Sequence, residues 1–362
     1  MNEQSKKNFY SDQTKIVISA GDEGGIGSEI ILKALASKKL PKNINILVVG
    51  SKRNLLNTYK LLKKVGIKDV ANPNSLNIED VKVSTMNTAE VAARNGNASY
   101  KYLKRAIDIV KSSSNTALVT APICKKSWAL AGHYYAGQTE LLAESFNSSN
   151  VGMLFTAQSP ITGWRLNTLL TTTHLPLNEI SKNLTGSLIS SKLDLLYDFC
   201  RRFNNRPRLK VAGLNPHAGE EGILGKEEND FIKSTLRNWN KRNPNVTLEG
   251  PLSPDSCWIT SLQAWGENKE YGHDGILAMY HDQGLIPMKL IALNYSVNTT
   301  LGLPIIRTSP DHGTGFDIFG KGIAQSKSML EAIKTAHDLC SRSRLLDPHQ
   351  NLTKFNRSTI IN

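Results

Sequence analysis

The chain has 362 residues, 44 Lys+Arg against 31 Asp+Glu for a formal net charge of +13, and 40% hydrophobic, 7% aromatic and 21% charged residues. That composition suits a globular protein of about two domains and excludes disorder, collagen or a coiled coil as a description of the whole chain. A cationic excess signals nucleic acid, an anionic membrane surface or small anionic ligands, and only the placement of the charges separates these classes.

The first 14 residues are polar, and the apolar stretch behind them, Ile16 to Ala20, is shorter than the roughly 7 residues of a signal-peptide core. Short β-branched runs then alternate with segments of helical period, the signature of βαβ units and a largely parallel sheet. In chain order the pattern predicts strands over 15–20, 44–50, 116–121, 151–157, 166–173, 209–214, 275–280 and 289–293. It predicts helices over 28–38, 52–65, 89–112, 138–146, 177–203, 226–241 and 326–342. Segment 66–88 is weakly patterned, and the chain ends in a polar tail. No window approaches the roughly 18 apolar residues that span a membrane. The cysteines Cys124, Cys200, Cys257 and Cys340 lie far apart with no CxxC spacing, so reduced thiols in a cytoplasm are expected. Cations are scattered through helices such as 52–64 and 101–111, so neither nucleic acid nor membrane is expected as a partner.

Several apolar runs end in small and polar clusters: Lys15–Ala20 in GDEGGIG, Ala117–Thr120 in APICKK, Leu209–Leu214 in NPHAGE and Gly275–Tyr280 in HDQG. Ligands of open α/β sheets bind outside the carboxyl ends of the strands, so these clusters are expected to converge. Three histidines, His174, His217 and His281, directly follow strand-like runs. They read either as satisfied loop histidines or as three neutral imidazoles for a borderline divalent cation, with a fourth position open for substrate. GDEGGIGSE (21–29) fits neither GxGxxG nor the Walker P-loop pattern and reads as a tight strand-to-helix turn. GQTELLAE opens a helix near Thr139, whose N–H groups either hold an anion or are simply capped. Lys289, Asn298 and Arg307 are set in apolar stretches. An embedded cation needs an anion, either a phosphate or carboxylate ligand or an internal partner such as Asp282, Asp311 or Asp317. DHGTGFD (311–317) reads as a nucleotide cradle or as a turn.

The segments GDEGGIGSEI, TAPICKKSW, GQTELLAE, TTTHLPL, GLNPHAGEEGILGKEE, GPLSPDS, AMYHDQGLIPMKL and VNTTLGLPIIRTSPDHGTGFDIFGKGIA, in this order, resemble the 4-hydroxythreonine-4-phosphate dehydrogenase family of pyridoxal 5′-phosphate biosynthesis. The likeness runs from about Lys15 to beyond Ala324. It implies an isocitrate/isopropylmalate-dehydrogenase-like fold of two α/β domains around a cleft. Residues 15–150 with 295–345 would form the cofactor side and 151–294 the metal and dimer side, with tails at 1–14 and 346–362. It also implies a homodimer with its active site at the interface.

The implied reaction is oxidation of 4-phosphooxy-L-threonine at C3 by NAD or NADP, then loss of CO2 to give 3-amino-2-oxopropyl phosphate. The resemblance assigns one divalent ion per subunit (Zn, Mg or Co) to His174, His217 and His281. Gln138, Thr139, Lys289, Asn298 and Arg307 take the substrate, and Asp311, His312 and Gly313 the cofactor. The family often reads GDPAGIGPE where this chain has GDEGGIGSE, and usually has His at position 138. Gln138 cannot carry charge, so the position is expected to bind phosphate rather than transfer protons. A 4-phosphorylated threonate or erythronate is the alternative substrate.

Overall fold

The fold is described from a computed structural model over residues 13–83, 90–113 and 115–343. The expected tails, apart from Gln13 and Thr14, lie outside the described residues. Eleven strands are described: β1 Thr14–Ser19, β2 Ile44–Gly50, β3 Ile78–Asp80, β4 Thr116–Thr120, β5 Gly152–Gln158, β6 Arg165–Leu170, β7 Arg208–Ala212, β8 Thr247–Leu252, β9 Gly275–Ala278, β10 Val297–Leu301 and β11 Ile306–Pro310. The α-helices are α1 Gly27–Leu35, α2 Lys52–Lys64, α3 Val91–Lys111, α4 Lys125–Leu130, α5 Gln138–Ser145, α6 Ile180–Asn183, α7 Gly186–Cys200, α8 Lys233–Arg242, α9 Ile259–Gly266, α10 His281–Ala292 and α11 Lys327–Ser343.

All eleven strands form one sheet in the order β3-β2-β1-β4-β11-β10-β5-β6-β9-β7-β8. Pairing is parallel through β3-β2-β1-β4-β11 and again through β6-β9-β7-β8. Between these blocks the pairs β11-β10, β10-β5 and β5-β6 are antiparallel. The three reversals make the two parallel blocks run in opposite directions. Their carboxyl ends therefore lie at opposite edges of the sheet, so the clusters expected to converge do not share one edge. Clusters from the two blocks can meet only across the reversing strands in the middle.

Helices cover both faces, so the inner strands read as continuous apolar runs. In the first block, Ile16, Ile18, Val48 and Val119 pack with Ile30, Leu55, Tyr102, Met329 and Ile333. The opposite side chains, Val17, Val49 and Leu118, pack with Leu103, Ile107, Trp128 and Leu141. In the second block Leu169, Leu209, Val211 and Leu277 meet Ile189, Leu193 and Trp239. Leu170, Ala212, Ile276 and Ala278 meet Trp265, Leu285 and Met288 on the other face.

Several elements differ from expectation. Residues 289–293 are not a strand, because 289–292 complete α10. The helix predicted over 177–203 breaks at Leu184, and Thr185 starts a new one by accepting from the Leu188 N–H at 3.2 Å. The strands β10 and β11 carry Thr, Ser and Arg in buried positions and a half-buried Asn, so no apolar run announces them.

Candidate active site

The antiparallel middle of the sheet holds a cleft of about 190 Å3. Its wall combines Thr120 at the end of β4, Gln138 and Thr139 at the start of α5, Asn298 of β10 and Arg307 of β11, with His174, His312 and Gly313 from loops. Met153 near the start of β5 and Pro310 at the end of β11 also line it, so the cleft spans between the two blocks. Gln138, Thr139, Asn298, Arg307, His174, His312 and Gly313 were all singled out by sequence, and the fold brings them together. A larger cavity of about 530 Å3, lined by Glu23, Arg53 and Tyr102 among others, holds none of the expected site residues.

Arg307 dominates the cleft. It is buried, and its guanidinium donates to Thr300 Oγ1 at 3.0 Å, Thr120 Oγ1 at 2.7 Å and Gln138 Oε1 at 3.2 Å. Among the described residues no carboxylate pairs with it, and burial pushes its pKa down to about 10, with Glu140 opposing the shift. A buried cation with only neutral partners is costly unless an anion completes it. Its Nε has no partner, and neither do Asn298 Oδ1 or His312 Nε2. Three unsatisfied polar atoms in one wall are what a polar ligand would complete. Beside them the first turn of α5 adds helix N–H groups at Thr139, a favourable place for a phosphate.

Lys289 is placed differently. It lies on the exposed side of α10 and pairs with Asp311 at 3.5 Å, which realises the internal partner considered for it. It does not line the cleft. Asp311 takes Lys289 on its carboxylate and donates its N–H to Ser328 Oγ at 3.0 Å, so it anchors the 311–317 loop. Burial raises the Asp311 pKa, with Lys289 pulling the other way. That loop packs on the glycine-rich turn after β1. Ile26 N–H donates to Thr314 O at 2.8 Å, and a Cβ on Gly25 would stand 2.7 Å from the same oxygen.

The histidines divide. His174 and His281 face each other with ring centroids 5.5 Å apart. Two imidazoles whose nitrogens sit at about 2.0–2.1 Å from one ion in tetrahedral geometry have centroids about 5 Å apart, so the pair fits a shared cation. His281 Nδ1–H donates to Asp282 Oδ1 at 2.7 Å, which leaves Nε2 as the ligating nitrogen. Burial, then Lys125 and His281, lower the His174 pKa and favour the neutral ring a metal needs. His217 does not join them. Among the described residues no three His, Cys, Asp or Glu side chains form a metal cluster. His217 sits instead on an exposed left-handed turn, with φ of 50°, 51°, 81°, 42° and 56° from His217 to Glu221. A left-handed conformation costs roughly 1–2 kcal/mol per non-glycine residue, so the surroundings must impose it.

Sequence reasoning missed Thr120 and Thr300, the hydroxyls that seat Arg307, as well as Lys125 and Glu140 in the cleft wall. Thr120 closes an apolar run and Glu140 follows Thr139, but nothing in either segment signals a partner on β11.

A family model described as pyridoxal phosphate biosynthetic protein PdxA matches residues 42–336. The chain belongs to the PdxA family. A 4-hydroxythreonine-4-phosphate dehydrogenase of Synechococcus sp. (strain RCC307) is 50% identical over 329 residues, covering 90% of this chain and 99% of that protein. Another from Nostoc sp. (strain PCC 7120) is 45% identical, covering 91% and 94%. The crystal structure of the Klebsiella pneumoniae 4-hydroxythreonine-4-phosphate dehydrogenase superposes with TM-score 0.74 at 33% identity, covering 91% of this chain and 99% of that one. The α/β fold expected from the sequence is thus shared with a solved PdxA-family structure.

The departures from the PdxA-family motif have structural counterparts. Glu23, where a proline is usual, accepts from the hydroxyl of buried Tyr102, and Ser28, at the second proline, accepts from Asn54 Nδ2 at 3.0 Å. Side-chain tethers thereby hold the turn that prolines would stiffen. Gln138 donates through Nε2 to Ala121 O at 2.9 Å while its Oε1 accepts from Arg307. The amide is a buttress for Arg307, a use the sequence alone did not reveal.

Proposed function

We propose that the chain oxidises 4-phosphooxy-L-threonine at C3 with NAD or NADP, and that the β-keto acid formed loses CO2 to give 3-amino-2-oxopropyl phosphate for pyridoxal 5′-phosphate synthesis. The observation that carries this reading is Arg307: a buried guanidinium with an unpartnered Nε, in the same cleft as Asn298, the start of α5 and His174. A monophosphate ester supplies the missing anion, and its carbon chain can extend toward the histidines. The relatives' shared name points to the same substrate.

In this reading Arg307 and the α5 N–H groups near Thr139 neutralise the phosphate, Gln138 and Thr120 fix the guanidinium, and Asn298 orients the substrate. Lys289 meets the substrate by exchanging its pairing with Asp311. His174 and His281, with a His217 brought by a second copy, would hold a divalent cation, Zn, Mg or Co, which when bound would lower the pKa of the substrate hydroxyl and stabilise negative charge as CO2 leaves. Asp282 orients His281 for that role. His312, with its unpartnered Nε2, Gly313 and Asp311 would face NAD(P) at the cleft mouth.

A second copy of the chain completes the site. Ile286 and Leu290 on α10 and Leu293 just after it are 59%, 81% and 65% exposed, and Ile259 and Leu262 on α9 are 58% and 61% exposed. Apolar faces of this kind mark protein interfaces, and α10 begins at His281 itself. A homodimer through these helices brings a partner's loops to the His174–His281 pair, supplying the third imidazole. The same reading divides the chain into 15–150 with 295–345 and 151–294. The free thiols of Cys124, Cys200, Cys257 and Cys340 suit a reducing cytoplasm.

Purified protein with Co2+, 4-phosphooxy-L-threonine and NAD or NADP should generate NAD(P)H absorbance, and no turnover with Zn, Mg or Co would refute the proposal. A higher kcat/KM for 4-phosphorylated threonate or erythronate would move the assignment to that substrate.

A further inference from the structure

The left-handed turn that carries His217 is seated on a buried carboxyl group outside the cleft. Glu228 is 1% exposed and lies at the start of a π-helical turn, Glu228–Ile232, that leads into α8. Its Oε1 accepts from the N–H groups of Leu214 and Asn215 at 2.8 and 2.9 Å, and its Oε2 accepts from Asn215 Nδ2 at 2.9 Å. The turn itself rests on the same group. A Cβ on Gly219 would stand 2.8 Å from Glu228 Oε2, and one on Gly213 would stand 3.2 Å from Oε1.

A second buried side chain ties this assembly to the other histidine turn. Gln283, two residues past His281, accepts from Met279 N–H at 2.6 Å and donates to Gly213 O at 2.7 Å. Glu228, Asn215 and Gln283 therefore form a continuous hydrogen-bonded path from the His217 turn, through the end of β7, to the end of β9 where His281 begins α10. A run of positive φ persists only where its surroundings over-determine it, and π-turns concentrate at functional sites.

We propose that Glu228 is the positioning residue for the third metal ligand: with Asn215 it imposes the left-handed turn that presents His217 to a partner subunit's site, and through Gln283 it fixes that turn against α10, the helix of the proposed interface. The inference rests on the reading of His217 as a metal ligand. Replacing Glu228 by Gln keeps the size but turns one acceptor into a donor that faces either two N–H groups or the Asn215 amide, so the turn relaxes while the core stays filled. Replacing Gln283 by Met cuts only the tie between Gly213 and Met279.

The test is Co2+ titration of the full-length protein by visible absorption, which reports ligand number and geometry without turnover, alongside E228Q, Q283M and His217→Ala. E228Q should bind Co2+ about 10- to 100-fold more weakly, the range for groups that orient metal ligands, with an altered spectrum. Q283M should lose about fivefold, while both variants bind inorganic phosphate as the parent does. Parent-like Co2+ affinity and spectrum in both variants, with H217A weakened, would overturn the positioning role. Parent-like binding by H217A would instead overturn the metal reading. Equal loss of Co2+ and phosphate binding would show a general structural role and likewise overturn the proposal.

Discussion

The anion cleft and the histidine turns are built in contrasting ways. Arg307 stands on a strand, is held by Thr120, Thr300 and Gln138, and is complete within one chain. His174 and His281 approach each other from the ends of two adjacent strands, whereas His217 projects from a strained, exposed turn and joins no group of three metal-ligating side chains among the described residues. On the reading proposed above, the contrast teaches that the fold prepares the phosphate subsite within one chain, while the metal subsite calls for a second copy. A rigid sheet suits a group that only binds, and exposed loops suit ligands that, in the proposed dimer, would come from two chains.

The largest effect is expected from Arg307. Arg307→Met should lower kcat/KM for the phosphorylated substrate by about 100- to 1000-fold, from roughly 3–4 kcal/mol of lost charge-assisted bonding, with Co2+ affinity unchanged. Steady-state kinetics with a parallel Co2+ titration checks it, and joint loss of both would erase the distinction between the regions. A smaller effect attaches to the orienting carboxylate. Asp282→Asn should weaken Co2+ binding about 10-fold while leaving phosphate binding intact, read by the same titration.

The smallest effect is in pH dependence. Because burial lowers the His174 pKa, the folded chain holds this ring neutral to below the ordinary value of 6.5. The sign follows: protonation of His174 competes with metal only below that value, and the folded state loses stability there because the unfolded chain takes up the proton first. NMR titration of the metal-free protein should place the His174 midpoint under 6.5, with phosphate binding indifferent to the same proton.

Much of the fold was legible because β1, β2, β4 and β9 are buried on both faces and read as short apolar runs. The failures have the same origin as the site. Leu285, Met288 and Ala292 of α10 are buried while Ile286, Leu290 and Leu293 are exposed, so the helix is apolar all round and its period vanishes into a strand-like KLIAL. β10 and β11 went unnoticed because their Thr, Asn and Arg side chains serve the cleft. The short β3 and β8, with its bulge and Pro251, carry too few apolar positions to stand out. Local motifs marked His174, His217 and His281. Their division, and the support of His217 by Glu228 and Gln283, depend on contacts between segments far apart in the chain, which no local motif encodes.

Subunit complementation tests the divided metal site most directly. His174→Ala and His217→Ala chains, each inactive alone, are co-expressed with different tags and the mixed dimer is purified. With a two-fold interface and a third imidazole given across it, one of the two sites in the mixed dimer is intact, so about half of the parent activity should return. A mixed dimer as inactive as its parents would show that His174 and His217 serve the same site from one chain, and would contradict the account.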